Sequence, residues 1–351
     1  IPLAFAALLL AWSLSFLPVM AAEPGEFEYR AGHAAYAKGD YGEAARWFTL
    51  AGEKGHPIAL YNVGYLLLEG KGGPKDPKAA AKWFVRSAEK GYLKAQVSIA
   101  EMYAVGGDIE RDPAAALKWY ERAGAQGDAL ALYNAGLILY RGQAGPADAA
   151  GAAQRFLKAA ELGHARAQYN IAYLFDKGEG VAQSTADALN WYRKAAAQGD
   201  VSAAINLAAI YFKGEGTARD IGEAARWMLK AAEGGDAQSQ YNIATFYFEG
   251  RGVAKDEAEA VKWYTRAAEQ GLAHAQNNLG LLFSKGQGVA RDYVEALKWM
   301  RIALGALPAG DVRLQTEKDA AAIAAYLTPQ DAARAERMAA DWLARFPPKT
   351  K

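Results

Sequence analysis

Tryptophan recurs at Trp47, Trp83, Trp119, Trp191, Trp227, Trp263 and Trp299, at intervals of 36 residues with one gap of 72 whose midpoint is Arg155. A fixed period of this size constrains the fold more than any local propensity, because it means that one supersecondary unit is copied and stacked on itself. Four further series keep the same phase. Asp76, Asp112, Asp148, Asp220, Asp256 and Asp292 form one, with Ser184 filling the missing place. Ala80 to Ala296, Gly70 to Gly286 and Gly55 to Gly271 form the others. Seven full units span 59–310.

Each unit reads as two helices. In the sixth, Ser239 to Glu249 carries Tyr241, Ile243, Ala244 and Tyr247 at helical spacing. Gly250 stops this helix, because glycine tolerates the left-handed conformation that ends helices. Asp256 then caps a second helix by accepting from its free N–H groups. Pro77 and Pro113 follow the cap in two units, and proline suits the first helical position. Ala260, Trp263, Ala267 and Ala268 share one face of the second helix, so the indoles are expected in the core. Losing one buried Trp to Ala should cost roughly 3–5 kcal/mol.

The segments AQYNIAYLFDKGEGV, DALNWYRKAAAQGD and AQNNLGLLFSKGQGVARDYVEALKW resemble Sel-one-like repeats (SLR), the 36-residue relatives of tetratricopeptide repeats. The resemblance covers 59–310. It implies an all-α fold, a right-handed α-solenoid of stacked antiparallel helix pairs. Residues 23–58 read as a shorter tetratricopeptide-type unit in which Gly39-Asp40 replaces the long loop. Residues 311–346 read as two capping helices, with Thr328-Pro329 and Asp331 opening the last, and 347–351 as a tail.

Residues 1–22, IPLAFAALLLAWSLSFLPVMAA, carry no charge and end in small residues. They read as a signal peptide truncated at its start, cleaved after Ala21 or Ala22, which implies a periplasmic or secreted protein. Left uncleaved, the same run approaches the length of a membrane anchor, and only then would a membrane be a partner.

Little catalytic chemistry is legible. The chain has no cysteine, a formal net charge of +1 and four scattered histidines, His33, His56, His164 and His274. That argues against thiolate or metal sites and against the basic stripe of a nucleic-acid binder. The GEG, GEG, GRG and GQG loops follow helices and recur in four units, so they read as turns and not as nucleotide-binding loops. No catalytic residue, metal or cofactor is assigned, and the protein is read as not an enzyme, with a hydrolase a distant alternative. Cysteine-rich family members proposed to act on β-lactams do not extend to a chain without cysteine.

By similarity to tetratricopeptide arrays, the first helices line a concave face with the third, seventh and tenth residues of each unit. The third places are Tyr61, Val97, Tyr133, Tyr169, Ile205, Tyr241 and Asn277. The seventh include Tyr65, Glu101 and Tyr173, and the tenth include Tyr140, Asp176, Phe212 and Phe248. An adjacent series is Asn62, Asn134, Asn170, Asn206, Asn242 and Asn278, with Ser98 in the second unit. Tyrosine combines an apolar face with a hydrogen-bonding tip, which suits partner surfaces. The aromatic residues either bind a partner or pack between first helices. The asparagines either grip a ligand or bond across to a neighbouring helix.

The resulting expectation is a regulatory adaptor or interaction scaffold of the bacterial envelope that binds a protein or peptide along its concave face. A glycan- or peptidoglycan-binding scaffold in exopolysaccharide or envelope assembly is the alternative. One unit departs from the pattern: 141–155 lacks the tryptophan, has Gly151 inside its second helix, and offers Phe156 one position late as a partial substitute. A helix-interior glycine costs up to about 1 kcal/mol relative to alanine. Amide hydrogen exchange should therefore be fastest in this unit among the repeats, and uniform protection across repeats would remove the expectation.

Overall fold

A computed structural model describes residues 24–347, and eighteen α-helices account for the regular structure among them. The segment assigned above to a signal peptide lies outside the described residues. The chain divides into two compact units after Gln126, at the start of the repeat that lacks the tryptophan. The first unit contains α1 (Glu26–Ala37), α2 (Tyr41–Glu53), α3 (Pro57–Glu69), α4 (Pro77–Glu89), α5 (Leu93–Val105) and α6 (Pro113–Ala125). The second contains α7 (Ala129–Tyr140), α8 (Ala149–Glu161), α9 (Ala165–Lys177), α10 (Thr185–Ala197), α11 (Val201–Lys213) and α12 (Ile221–Glu233). It continues through α13 (Ala237–Glu249), α14 (Glu257–Glu269), α15 (Ala273–Lys285), α16 (Tyr293–Leu304), α17 (Asp311–Ala324) and α18 (Pro329–Arg345). Within each unit, consecutive helices pack as hairpins and each hairpin packs on the next, the α-solenoid arrangement.

The caps follow the sequence period. Asp76, Asp112, Asp148, Ser184, Asp220, Asp256 and Asp292 each accept from the N–H three residues on, and Asp40 does the same for α2. The first helices have their own series, which the sequence reading passed over. His56, Asp128, His164, Asp200 and Asp236 cap them in the same way. His56 and His164 do so through Nδ1, each at 3.2 Å, so these rings are unprotonated at that nitrogen. Burial, with Arg166 second, holds His164 below the usual histidine range.

The residue after the tryptophan is the more deeply buried core knob. Phe48, Phe84, Tyr120, Phe156, Tyr192, Tyr264 and Met300 are buried at 3% exposure or less. The facing position on the first helix must be small. A Cβ built on Gly64 would come within 2.7 Å of Phe84, and one on Gly136 within 2.6 Å of Phe156. Phe156 therefore stands in the regular series and does not replace the missing indole. Gly151 is likewise not in a helix interior. It occupies the first turn of α8, where its N–H bonds Asp148 at 2.8 Å and a Cβ would collide with that carboxylate.

Trp119, Trp191, Trp227, Trp263 and Trp299 are buried, but Trp47 and Trp83 are only half-buried. The indoles sit at the rim of the core, with one face left for a cation. Arg86, Arg122, Lys194, Lys230 and Arg266, three residues on, lie over the rings of Trp83, Trp119, Trp191, Trp227 and Trp263 at 3.9 to 5.8 Å. Such contacts allow a large ring to remain partly wet.

Neighbouring hairpins are joined by close approach and by polar pairs. Gly252 has φ 70°, and a Cβ there would lie 2.3 Å from the carbonyl of Ile221 on the preceding hairpin. Gln96, Gln168 and Gln240 are buried; each donates to a carbonyl eight residues back, on the preceding hairpin, and accepts within its own hairpin from Gln126, Gln198 and Gln270 respectively. Gln276 repeats the donation, but Ala306 stands where the partner glutamine would be, and Gln276 Oε1 is left without a partner. After it, α17 and α18 both pack on α16, with the Trp342 ring edge-on to Trp299 and Arg301 paired to Glu336 at 2.6 Å. Thr328 Oγ1 accepts from the Asp331 N–H, as the capping pattern requires.

A buried acceptor that lacks a donor carries its full desolvation cost, whereas a paired one does not. Gln276→Leu should therefore leave stability unchanged or raised in chemical denaturation. Gln240→Leu, which breaks a satisfied pair, should be less stable than Gln276→Leu by about 1–3 kcal/mol. Equal losses in the two variants would contradict this account.

Candidate functional site

The first helices carry the candidate surface because their third, seventh and tenth residues recur on one side, at intervals of four and three. All fifteen residues singled out in the sequence are half-buried: Tyr61, Tyr65, Tyr133, Tyr140, Tyr169, Tyr173, Phe212, Tyr241 and Phe248, with Asn62, Asn134, Asn170, Asn206, Asn242 and Asn278. Five of them are brought together in the second unit. Phe212, Tyr241 and Asn242 line a hollow of about 560 Å³ between α11 and α13. Tyr241, Phe248 and Asn278 line one of about 300 Å³ between α13 and α15. Tyr241 and Thr245 border both, so the two hollows form one trough.

The sequence reading missed several lining residues. The seventh places here are Ala209, Thr245 and Leu281, and the trough is edged by Lys213, Arg251 and Lys285 as well as Asp236 and Glu249. The 36-residue interval contained the first three. Met228 reaches the floor from the second helix.

The remaining third-place tyrosines are committed to packing on one face. Tyr61 lies against Phe84 at 5.2 Å, Tyr133 against Phe156 at 5.9 Å and Tyr169 against Tyr192 at 5.7 Å; Tyr241 lies against Tyr264 at 5.6 Å. Each thus rests on the core ring of its own hairpin; Tyr133 is in addition stacked on His164 at 4.6 Å, and Tyr61 meets Tyr92 edge-on at 5.3 Å. Asn277, a third-place residue too, accepts from Thr316 of α17 at 2.9 Å.

The tenth places meet the turn of the next repeat. Tyr140 Oη donates to Glu179 Oε2 at 2.7 Å, and this bond, with burial second, raises the hydroxyl to about 12. Arg251 lies over Phe212 at 5.5 Å in the same register. The middle residue of the turn thus sits against the tenth-place aromatic residue at Glu179 and at Arg251.

The asparagine series divides by its neighbours. Asn206 Nδ2 donates to Tyr192 Oη at 2.9 Å, fourteen residues earlier on the preceding helix. Asn278 holds the Tyr264 hydroxyl in the same register, and Asn242 meets Met228 Sδ at 3.9 Å. Burial pushes the hydroxyls of Tyr192 and Tyr264 above the ordinary tyrosine range, so both stay protonated. Asn62 and Asn170 stand fourteen residues after Phe48 and Phe156, which carry no hydroxyl.

Among the described residues, no group of His, Asp and Glu could hold a metal ion. The arrangement offers apolar and aromatic surface with uncharged hydrogen-bonding tips, edged by charge. Asn206→Ala should cost about 1–2 kcal/mol in thermal or chemical denaturation, because it strands the Tyr192 hydroxyl. Asn170→Ala should stay within about 0.5 kcal/mol of the parent. Equal losses at the two sites would show that the hydroxyl bond does not divide the series.

The model of the Sel1 repeat matches eight times, at residues 25–56, 57–92, 93–128, 129–164, 165–200, 201–236, 237–272 and 273–304. These matches start each repeat two residues before the 59–310 register and include α1 and α2 as a repeat. Comparison with curated proteins gives no match. Among solved structures, a protective antigen present in uropathogenic Escherichia coli strains, which displays an SLR fold, is 32% identical with a TM-score of 0.63. The alignment covers 92% of this chain and 69% of that one. A Sel1 repeat protein from Oxalobacter formigenes is 30% identical with a TM-score of 0.66, covering 84% of this chain and 86% of that one. Hairpin by hairpin, from the caps to the core rings, the chain belongs to the Sel1 repeat family.

Proposed function

We propose that this protein is a non-enzymatic interaction scaffold that holds a segment of a polypeptide partner in the trough lined by α11, α13 and α15. The observation that carries this reading is the pair of joined hollows sharing Tyr241 and Thr245. Each hollow is large enough to take an apolar side chain, and the sizes fall in the range of ordinary ligand sites. Aromatic anchors surrounded by polar edges are the usual composition of binding hot spots. The Sel1 repeat matches support a scaffold role, as repeats of this kind are generally non-catalytic.

Export is part of the proposal and rests on the uncharged, small-residue-terminated segment 1–22. An envelope role follows from export together with the scaffold reading. A glycan occupant of the same trough is the competing outcome.

Ala209 is exposed on the wall of the larger hollow, so its replacement by a long side chain fills the trough without touching the core. A photo-crosslinking residue at position 209 should give discrete protein adducts in cells that make this protein, and one at the outward-facing Lys230 should not. Ala209→Arg should abolish partner binding to the purified chain with thermal stability unchanged. Identical adduct patterns at the two positions would overturn the reading. Binding of soluble peptidoglycan fragments, lost in Ala209→Arg with no protein adducts, would assign the trough to a glycan.

A further inference from the structure

A side-chain cluster in the first unit lies apart from the trough residues and does not depend on their role. Lys71, the middle residue of the Gly70-Lys71-Gly72 turn, places its ammonium 3.2 Å from Tyr36 Oη and 3.4 Å from Tyr65 Oη. It also lies 5.5 Å from the ring centroids of Tyr36 and Tyr41 and 5.1 Å from that of Tyr65. The hydroxyl bonds to Tyr36 and then Tyr65 raise its pKa, and no carboxylate contributes to that shift. The charge is held by ring faces and hydroxyl oxygens alone.

Counting protons shows what this leaves available. The ammonium has three, of which two go to the phenol oxygens. Each phenol oxygen that accepts from Lys71 keeps its own proton to donate. Three N–H and O–H donors thus converge around one positive charge that has no anion beside it. The turn that holds them is fixed, because a Cβ on Gly72 would lie 2.7 Å from the Tyr41 carbonyl carbon.

The second unit shows the occupied version of the same register. Tyr140 corresponds to Tyr36, since each follows by four residues the glycine packed on a core ring, Gly136 and Gly32. Glu179 corresponds to Lys71, three repeats of 36 residues earlier. There the tyrosine hydroxyl donates to a carboxylate supplied from within the chain, at 2.7 Å. In the first unit the turn supplies a cation, and the tyrosine proton is left for a carboxylate from outside.

We infer that Lys71, Tyr36 and Tyr65 form a binding site for a carboxylate group, such as an acidic side chain or chain terminus of a partner. The ammonium neutralises the carboxylate and the two hydroxyls orient it, as charge-assisted bonds do. Lys71, Tyr36, Tyr41 and Tyr65 are all half-buried, so the site is reachable without opening the fold.

The full chain labelled with ¹³C-tyrosine should be titrated with acetate, inorganic phosphate and chloride at constant ionic strength and followed by NMR. Acetate should produce saturable shifts at Tyr36 and Tyr65 that chloride does not. Lys71→Met should weaken binding by about tenfold or more, and Tyr36→Phe, which keeps the ring, by several-fold. Lys71→Glu supplies the carboxylate from within, as in the second unit, and should abolish acetate binding while the protein stays folded. Acetate shifts no larger than those of chloride, or an unchanged titration in Lys71→Met, would overturn the site. Saturation by phosphate but not by acetate would overturn its assignment to a carboxylate.

Discussion

The contact on which the rest depends is a bulky residue on each second helix pressed against a small one on the first. Where the small residue is Gly64 or Gly136, there is no room for even one more carbon atom beside Phe84 or Phe156. Interiors packed this densely transmit any change in volume to their neighbours, so the spacing between the two helices of a hairpin is set by this pair. The spacing in turn fixes the position of the third-place tyrosine, which rests on the same core ring from outside. A surface residue on the first helix is thus oriented by a buried residue on the second.

The same coupling explains why the trough is made where it is. In α11 and α13 the seventh places are small, Ala209 and Thr245, and the core residue behind Ala208 is the flexible Met228 and not a ring. Less volume at these points leaves a hollow between adjacent first helices, whereas Tyr65, Leu137 and Tyr173 stand at the same place in other repeats. Polar groups are distributed by the same logic. Buried glutamines donate to carbonyls of the preceding hairpin, asparagines hold buried tyrosine hydroxyls, and turn residues reach back to the tenth-place aromatics. Each of these is a buried or half-buried polar group that finds its partner in the next copy of the repeat, which is what a stacked array can provide and a single hairpin cannot.

Much of this could be read in the chain. The hairpins, their Asp and Ser caps and their glycine stops were legible because capping is local: Asp256 bonds an N–H three residues away. The tryptophans were legible as a series and as core residues, and five of the seven are buried; that the residue after each is buried more deeply was not legible. A large apolar residue and its neighbour at the next position are only 100° apart on a helix, and the sequence alone does not say which points inward. Phe156 looked like a late substitute for the same reason. Gly151 looked like a helix-interior defect because the hydrogen bond that makes glycine suitable there comes from a cap three residues before it. The first-helix caps His56 and His164 were overlooked because histidine is an uncommon cap and its acceptor nitrogen depends on the tautomer.

The sequence by itself determined the repeat, its length, the number of hairpins, the caps of the second helices and the glycine stops of the first, since capping is set by contacts within a few positions along the chain. Only the tertiary structure decided which members of a series are equivalent in environment. Asn206 holds a hydroxyl and Asn170 meets none, Gln240 is paired and Gln276 is not, and Tyr140 faces a carboxylate where Tyr36 faces an ammonium. The reason is physical: a repeat fixes what each residue is, but its hydrogen bonds and packing come from residues far along the chain, in its own hairpin or the adjoining one, whose side chains at the facing positions differ from one repeat to the next.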